Sequence, residues 1–152
     1  MSALGIASFE HTVQLTHIWI SDLDASLEWN DKPRAYRLLK AVLHALRDRL
    51  QLNDAVSLGA QLPELLRGAY YEQWRPGKHP VKPRSKQEFL DQVSESFQRD
   101  PLEHPGQAVM AVLELLSKKL AVGESKDIRH ALSEDIRTLW PEPYVEAGAV
   151  RR

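Results

Sequence analysis

The sequence contains no cysteine. That excludes disulfides, thiol nucleophiles and thiolate metal sites such as zinc ribbons and iron–sulfur clusters, and it fits a reducing compartment. Glycine is sparse too, with seven residues and no cluster, so nothing forms a loop to cradle a nucleotide's phosphates. The net charge of −1 lacks the basic excess that phosphate neutralisation requires, which argues against a general nucleic-acid binder. No apolar run approaches membrane-spanning length. The opening MSALGIASFEHT has no base ahead of its short apolar stretch and makes a poor signal peptide, so the expected location is the cytoplasm. There is no G-x-S-x-G, H-E-x-x-H or E-x-x-H, hence no hydrolase elbow and no paired Glu-x-x-His set for a di-metal bundle. No catalytic residue, metal ligand or cofactor is assigned.

What is present is helical periodicity. Phe9, Val13, Thr16, Ile20, Leu23 and Leu27 step by 4, 3, 4, 3 and 4, the spacing of a single helix face, and are expected to point inward. Ser8 is placed to cap that helix. Asn30-Asp31-Lys32-Pro33 reads as a break and a restart. The second helix turns Ala35, Leu38, Leu39, Val42, Leu46 and Leu50 inward and Arg37, Lys40, Arg47 and Asp48 outward. A short third helix follows, capped by Asn53 or Asp54, and Pro63 opens a fourth. Residues 75–86, RPGKHPVKPRSK, hold three prolines and five basic residues, an extended connector. Ser85-x-x-Glu88 forms a capping box for a fifth helix, Pro105-Gly106 precede a sixth that Gly123 ends, and Ser125 and Ser133 cap two short ones.

Sliding the chain against itself by 70 residues aligns 40–70 with 110–140 without gaps. Ala41-Val42-Leu43 meets Ala111-Val112-Leu113, and Leu46, Leu50 and Leu62 meet Leu116, Leu120 and Leu132. Glu64 meets Glu134, Arg67 meets Arg137, and Tyr70 meets Trp140. Leucines recur in any pair of amphipathic helices, but a shared capping acid, Glu-x-x-Arg pair and terminal aromatic point to duplication. Phe9-x-x-x-Val13 and Phe89-x-x-x-Val93 then begin the halves, with about ten extra residues in the first. The expected fold is all-α, about eight helices in two pseudo-symmetric four-helix repeats packed as one compact bundle. Residues 8–74 form the first repeat, 75–86 the connector, 87–141 the second repeat and 142–152 a loosely ordered tail.

With RAYRLLKAVLHALRDRL (34–50), AQLPELLRGAYYEQW (60–74), EFLxxV (88–93) and LWP (139–141), the chain resembles the bacterial family known as domain of unknown function 2267. The resemblance covers residues 8–141. It implies a helical, internally repeated protein of about this length, and no activity.

Candidate site residues gather in the fourth helix. Arg67, Tyr71 and Trp74 share one stripe, a cation with aromatics of the kind enriched in interface hot spots. The bland alternative pairs Arg67 with Glu64 or Glu134 and packs Tyr71 and Trp74 on the connector's prolines, joining the halves. His44 lies four residues before Asp48, close enough to hydrogen-bond, which is either an ordinary surface pair or an oriented base. The expected function is protein interaction or self-association through the helix-four surface. The alternative is a small-molecule binder or enzyme with a pocket between the halves, lined by Arg67, Tyr71, Trp74 and His44. Nucleic-acid contact through the basic connector is a weaker third reading.

Overall fold

The computed structural model describes residues 5–78 and 85–140, so the tail expected over 142–152 and half of the connector, 79–84, lie outside the described residues. Among the described residues eight α-helices run in the order α1 (Ala7–Leu27), α2 (Lys32–Arg49), α3 (Leu52–Ala60), α4 (Glu64–Tyr71), α5 (Lys86–Ser94), α6 (Pro105–Lys119), α7 (Val122–Ala131) and α8 (Glu134–Arg137). Two 3-10 turns cover Pro76–Lys78 and Glu95–Phe97. No strand occurs among the described residues, and no described helix is long and apolar enough to cross a membrane. The all-α bundle is as the periodicity requires.

Local chemistry sets several boundaries. Asp31 accepts from Arg34 N at the start of α2, with proline in the first turn. Ser85 and Glu88 complete the capping box of α5, and Ser133 caps α8. Three cap expectations fail. Ser8 lies inside α1, whose N-cap is Ile6 without a side-chain bond. Helix α3 begins at Leu52, ahead of Asn53 and Asp54. Helix α7 begins at Val122, so Gly123 starts a helix rather than ending one, and Ser125 bonds back to Val122 O.

The core centres on α2, which packs against α1, α3, α4, α5 and α6. Leu38, Leu39, Val42, Leu43, Leu46 and Leu50 are fully buried, each worth about 2 kcal/mol in transfer terms. Arg37, Lys40 and Asp48 keep the partly exposed face expected of them, but Arg47, expected outward, is buried.

Element boundaries recur at a spacing of 70. Helices α2 and α6 end at Arg49 and Lys119, α3 and α7 start at Leu52 and Val122, and α4 and α8 start at Glu64 and Glu134. Helix α1 packs on α2, α6 and α4, and α5 packs on α6, α2 and α8, the same neighbours carried across by the shift. Helix α3 packs on α7, where burial, then Asp127 and Asp54, hold the Glu124 carboxyl above its ordinary pKa.

The inward face expected for α1 holds only in part. Thr16 and Leu23 are buried, together with Trp19, but Phe9 is 54% and Val13 45% exposed. In the second half Phe89 and Val93 are fully buried. Their counterparts at the spacing of 70 are Trp19 and Leu23, not Phe9 and Val13. Residues 7–15 of α1 therefore extend past the core. Thr12 pins this extension: its Oγ1 accepts from Leu65 N at 2.8 Å, satisfying a donor at the start of α4, which has no side-chain cap of its own.

Candidate functional site

All four residues singled out in the sequence are half-buried; His44 reaches the C-terminal end of α4 and Tyr71 packs on Trp74 there, whereas Arg67 reaches back to the α3–α4 turn. A helix C-terminus leaves carbonyls without intrahelical partners, and α2 supplies donors for them. His44 Nε2 donates to Ala69 O at 2.7 Å. Arg47 donates to Tyr70 O at 2.6 Å and to Glu72 O at 2.8 Å. Its Nε reaches Asp48 at 3.0 Å, and Gln92 of α5 donates to the other oxygen of Asp48 at 3.0 Å. The expected His44–Asp48 hydrogen bond is thus replaced, with each residue bonded elsewhere. Burial, the largest influence, draws the His44 pKa below the ordinary 6.5, opposed by its bond to Ala69 O and reinforced by Arg47. The neutral ring that donates to a carbonyl is the form the fold selects.

Arg67 does not pair with Glu64 or Glu134. It spans the α3–α4 turn, donating to Gly59 O at 2.9 Å and Leu62 O at 3.0 Å. Arg137 does the same at the α7–α8 turn, donating to Leu132 O at 2.8 Å and His130 O at 3.2 Å. A guanidinium's fixed fork suits two diverging carbonyls. Tyr70 is fully buried and donates to Ala55 O at 2.6 Å, and burial pushes its phenol far above the usual range.

Tyr71 stands edge-on to Tyr70 at 4.9 Å and tilted to Trp74 at 5.1 Å. Its ring lies so close over Gly59 that a Cβ there would stand 2.8 Å from Tyr71 Cζ and collide with the hydroxyl. These contacts lie within the first half, and Pro80 and Pro83 of the connector, on which Tyr71 and Trp74 were expected to pack, lie outside the described residues. Several other contacts bridge the residues before and after the connector. Asp100 is held by Arg34 and by Arg37, the latter at 2.8 Å, with both guanidinium groups over the Phe97 ring. Desolvation works upward on the Asp100 carboxyl, but the Arg37 hydrogen bond and both positive charges prevail and lower its pKa. Arg49 donates to Gln92 at 2.5 Å, and Lys119 pairs with Asp22 at 2.8 Å. These two contacts are images of each other at the spacing of 70.

The half–half junction does hold a pocket, but not the expected one. A cavity of about 430 Å³ opens between the α1–α2 turn and the start of α6. Trp29, Arg34, Leu102, His104 and Gln107 line it, and none of His44, Arg67, Tyr71 or Trp74 does. These residues lie before the aligned stretches 40–70 and 110–140 begin. Continued backward, the alignment pairs Arg34 with His104, Arg37 with Gln107 and Asn30 with Asp100.

No cluster of metal-ligating side chains occurs among the described residues. The class defined by these observations is a helical bundle whose polar side chains mostly satisfy its own backbone. The chain belongs to the family described as uncharacterized conserved protein (DUF2267), whose model matches residues 16–139. The match begins at Thr16, the first buried residue of α1. No curated protein matches the chain.

Proposed function

We propose that the protein is a self-associating interaction module that docks through the overhanging face of α1 onto a second copy of itself. The observation that carries this reading is the exposure of Ile6, Phe9 and Val13 at 47%, 54% and 45%, with Leu65 at 52% beside them on α4. Ile6, Phe9, Val13, Thr16, Ile20, Leu23 and Leu27 keep strict alternating steps of three and four, a seam that seeks a partner helix along its whole length. The bundle covers the C-terminal part of that seam and leaves two turns bare.

The bare surface amounts to a few hundred Å², the size at which a monomer's largest patch is commonly functional. A second copy suits it, because the polar residues flanking the stripe carry little charge of one sign: Glu10 and His11 stand beside Thr12 and Gln14. The patch is smaller than the roughly 800 Å² per partner of a standard interface, so the expected dimer is weak, with Kd on the order of tens of micromolar. The duplication inferred from the sequence is supported by the recurring boundaries and the paired contacts at the spacing of 70. It assigns residues 7–15 to an addition outside the repeat.

Sedimentation equilibrium tests the proposal. The expected result is a monomer–dimer equilibrium that Val13→Glu abolishes while helix content is retained. A monomer at several hundred micromolar, or a dimer indifferent to Val13→Glu and Phe9→Glu, refutes it.

A further inference from the structure

The corner where α1 meets the start of α4 is built differently from its counterpart in the second half. At the spacing of 70, Pro63, Leu65 and Leu66 relate to Ser133, Asp135 and Ile136. Ser133 caps α8, its hydroxyl accepting from Ile136 N at 3.3 Å. The Asp135 carboxylate accepts from Lys86 N at 2.6 Å, at the start of α5. In the first half, proline at 63 offers no side-chain acceptor and leucine at 65 no carboxylate. The residue related to Lys86 is Thr16, which lies inside α1 rather than at its start. Within a helix an N–H bonds the carbonyl four residues back, so no carboxylate is required at 65. An apolar side chain stands there instead, 52% exposed.

The polar link at this corner runs the other way. Thr12 turns its Oγ1 to Leu65 N at 2.8 Å, while α4 has no side-chain cap of its own. Thr12 belongs to residues 7–15, the stretch that extends past the repeat, so this addition supplies the acceptor that position 63 lacks. It also stands between Phe9 and Val13, midway along the bare turns. A helix end that has left its core opens readily, because few packing contacts hold it. A bond to α4 in the middle of that stretch opposes the opening. Surfaces ordered before docking lose less freedom on association.

We infer that Thr12 is a positioning residue for the docking surface, a role that rests on the self-association proposed above. By accepting from Leu65 N it clamps the overhang of α1 to α4 and holds Leu65 beside Phe9 and Val13 as one preformed face.

Three substitutions in the full chain separate clamping from capping. Thr12→Val keeps the shape of the side chain and removes the acceptor, and Thr12→Ser keeps the acceptor. Pro63→Ser gives α4 a cap of its own, at a residue whose φ −54° and ψ 146° match the −61° and 156° of Ser133. Sedimentation equilibrium reads the dimer, and amide hydrogen exchange of dilute monomer reads α4 and residues 10–15. Thr12→Val is expected to weaken the dimer about fivefold and to speed exchange at 10–15 by a similar factor, the effect of one lost capping bond. Thr12→Ser is expected to stay within about twofold of wild type. Adding Pro63→Ser to Thr12→Val is expected to recover protection in α4, while the dimer stays weak and residues 10–15 stay fast. The assignment is overturned if Thr12→Val leaves the dimer and residues 10–15 as in wild type, or if Thr12→Ser is as weak as Thr12→Val. It is overturned too if Pro63→Ser restores the dimer, which makes Thr12 a cap alone. A wild type that stays monomeric refutes the self-association reading by itself, and exchange at 10–15 in the variants still decides whether Thr12 clamps the overhang.

Discussion

Replacing Arg47 by methionine keeps the aliphatic stem of the side chain and removes only its charged head. Arg47 is 4% exposed, and its guanidinium donates to Tyr70 O at 2.6 Å, Glu72 O at 2.8 Å and Asp48 at 3.0 Å. Asp48 keeps a partner in Gln92, so the loss falls on the two carbonyls that end α4. An unsatisfied buried acceptor costs about 1–3 kcal/mol, and breaking a buried charged contact about 3–5 kcal/mol. The Tyr70 carbonyl is buried while Glu72 is exposed to water, so the expected cost of Arg47→Met is about 2–3 kcal/mol. Against a total stability of roughly 5–15 kcal/mol, that is a large share. Arg37 provides the control: its ion pair with Asp100 joins side chains 40% and 44% exposed, and such pairs contribute no more than about 1 kcal/mol. Urea denaturation followed by circular dichroism measures both, provided the slope of each transition stays constant. Should Arg47→Met fall within about 1 kcal/mol of wild type, the claim that α2 side chains hold the end of α4 is wrong.

Three further perturbations follow from the same structure. Gly59→Ala forces the Tyr71 ring from its seat and is expected to cost about 1–3 kcal/mol by overpacking; in thermal melts the double variant with Tyr71→Ala should lose less than the sum of the two single changes. For His44, the folded pKa lies below its unfolded value of 6.5, so the unfolded chain takes up the proton first and stability falls as pH drops through that value. His44→Gln is expected to flatten the dependence of stability on pH between about 7 and 5, measured by urea midpoints across that range. Val13→Glu removes exposed apolar surface without touching the core, so its midpoint in dilute monomer should stay within about 0.5 kcal/mol of wild type.

The helices were legible because their periodicity is a property of each segment alone. Ser85 and Ser133 fulfil their capping patterns for the same reason, since a cap acts within its own first turn. Burial was less legible. The stripe through Phe9 and Val13 marks an apolar face, but whether that face is covered depends on how far α2, α4 and α6 extend beside it, which no local pattern encodes. Arg47 reads as surface because it is charged, yet a helix packed against five others buries some polar residues, and Arg47 finds the carbonyls at the end of α4 to bond. Arg67 and His44 were read through the side chains near them, and both found backbone carbonyls instead. Comparison at the spacing of 70 was the most informative reading, placing Arg67 with Arg137 in a shared scaffold role.

The most direct measurement of the central claim is a series of ¹H–¹⁵N spectra of the protein across monomer and dimer concentrations. The account expects shifts and broadening that grow with concentration at Ile6, Phe9, Val13 and Leu65, while His44, Tyr71 and Trp74 stay still. Changes centred on Tyr71 and Trp74, or no change at any concentration, contradict it.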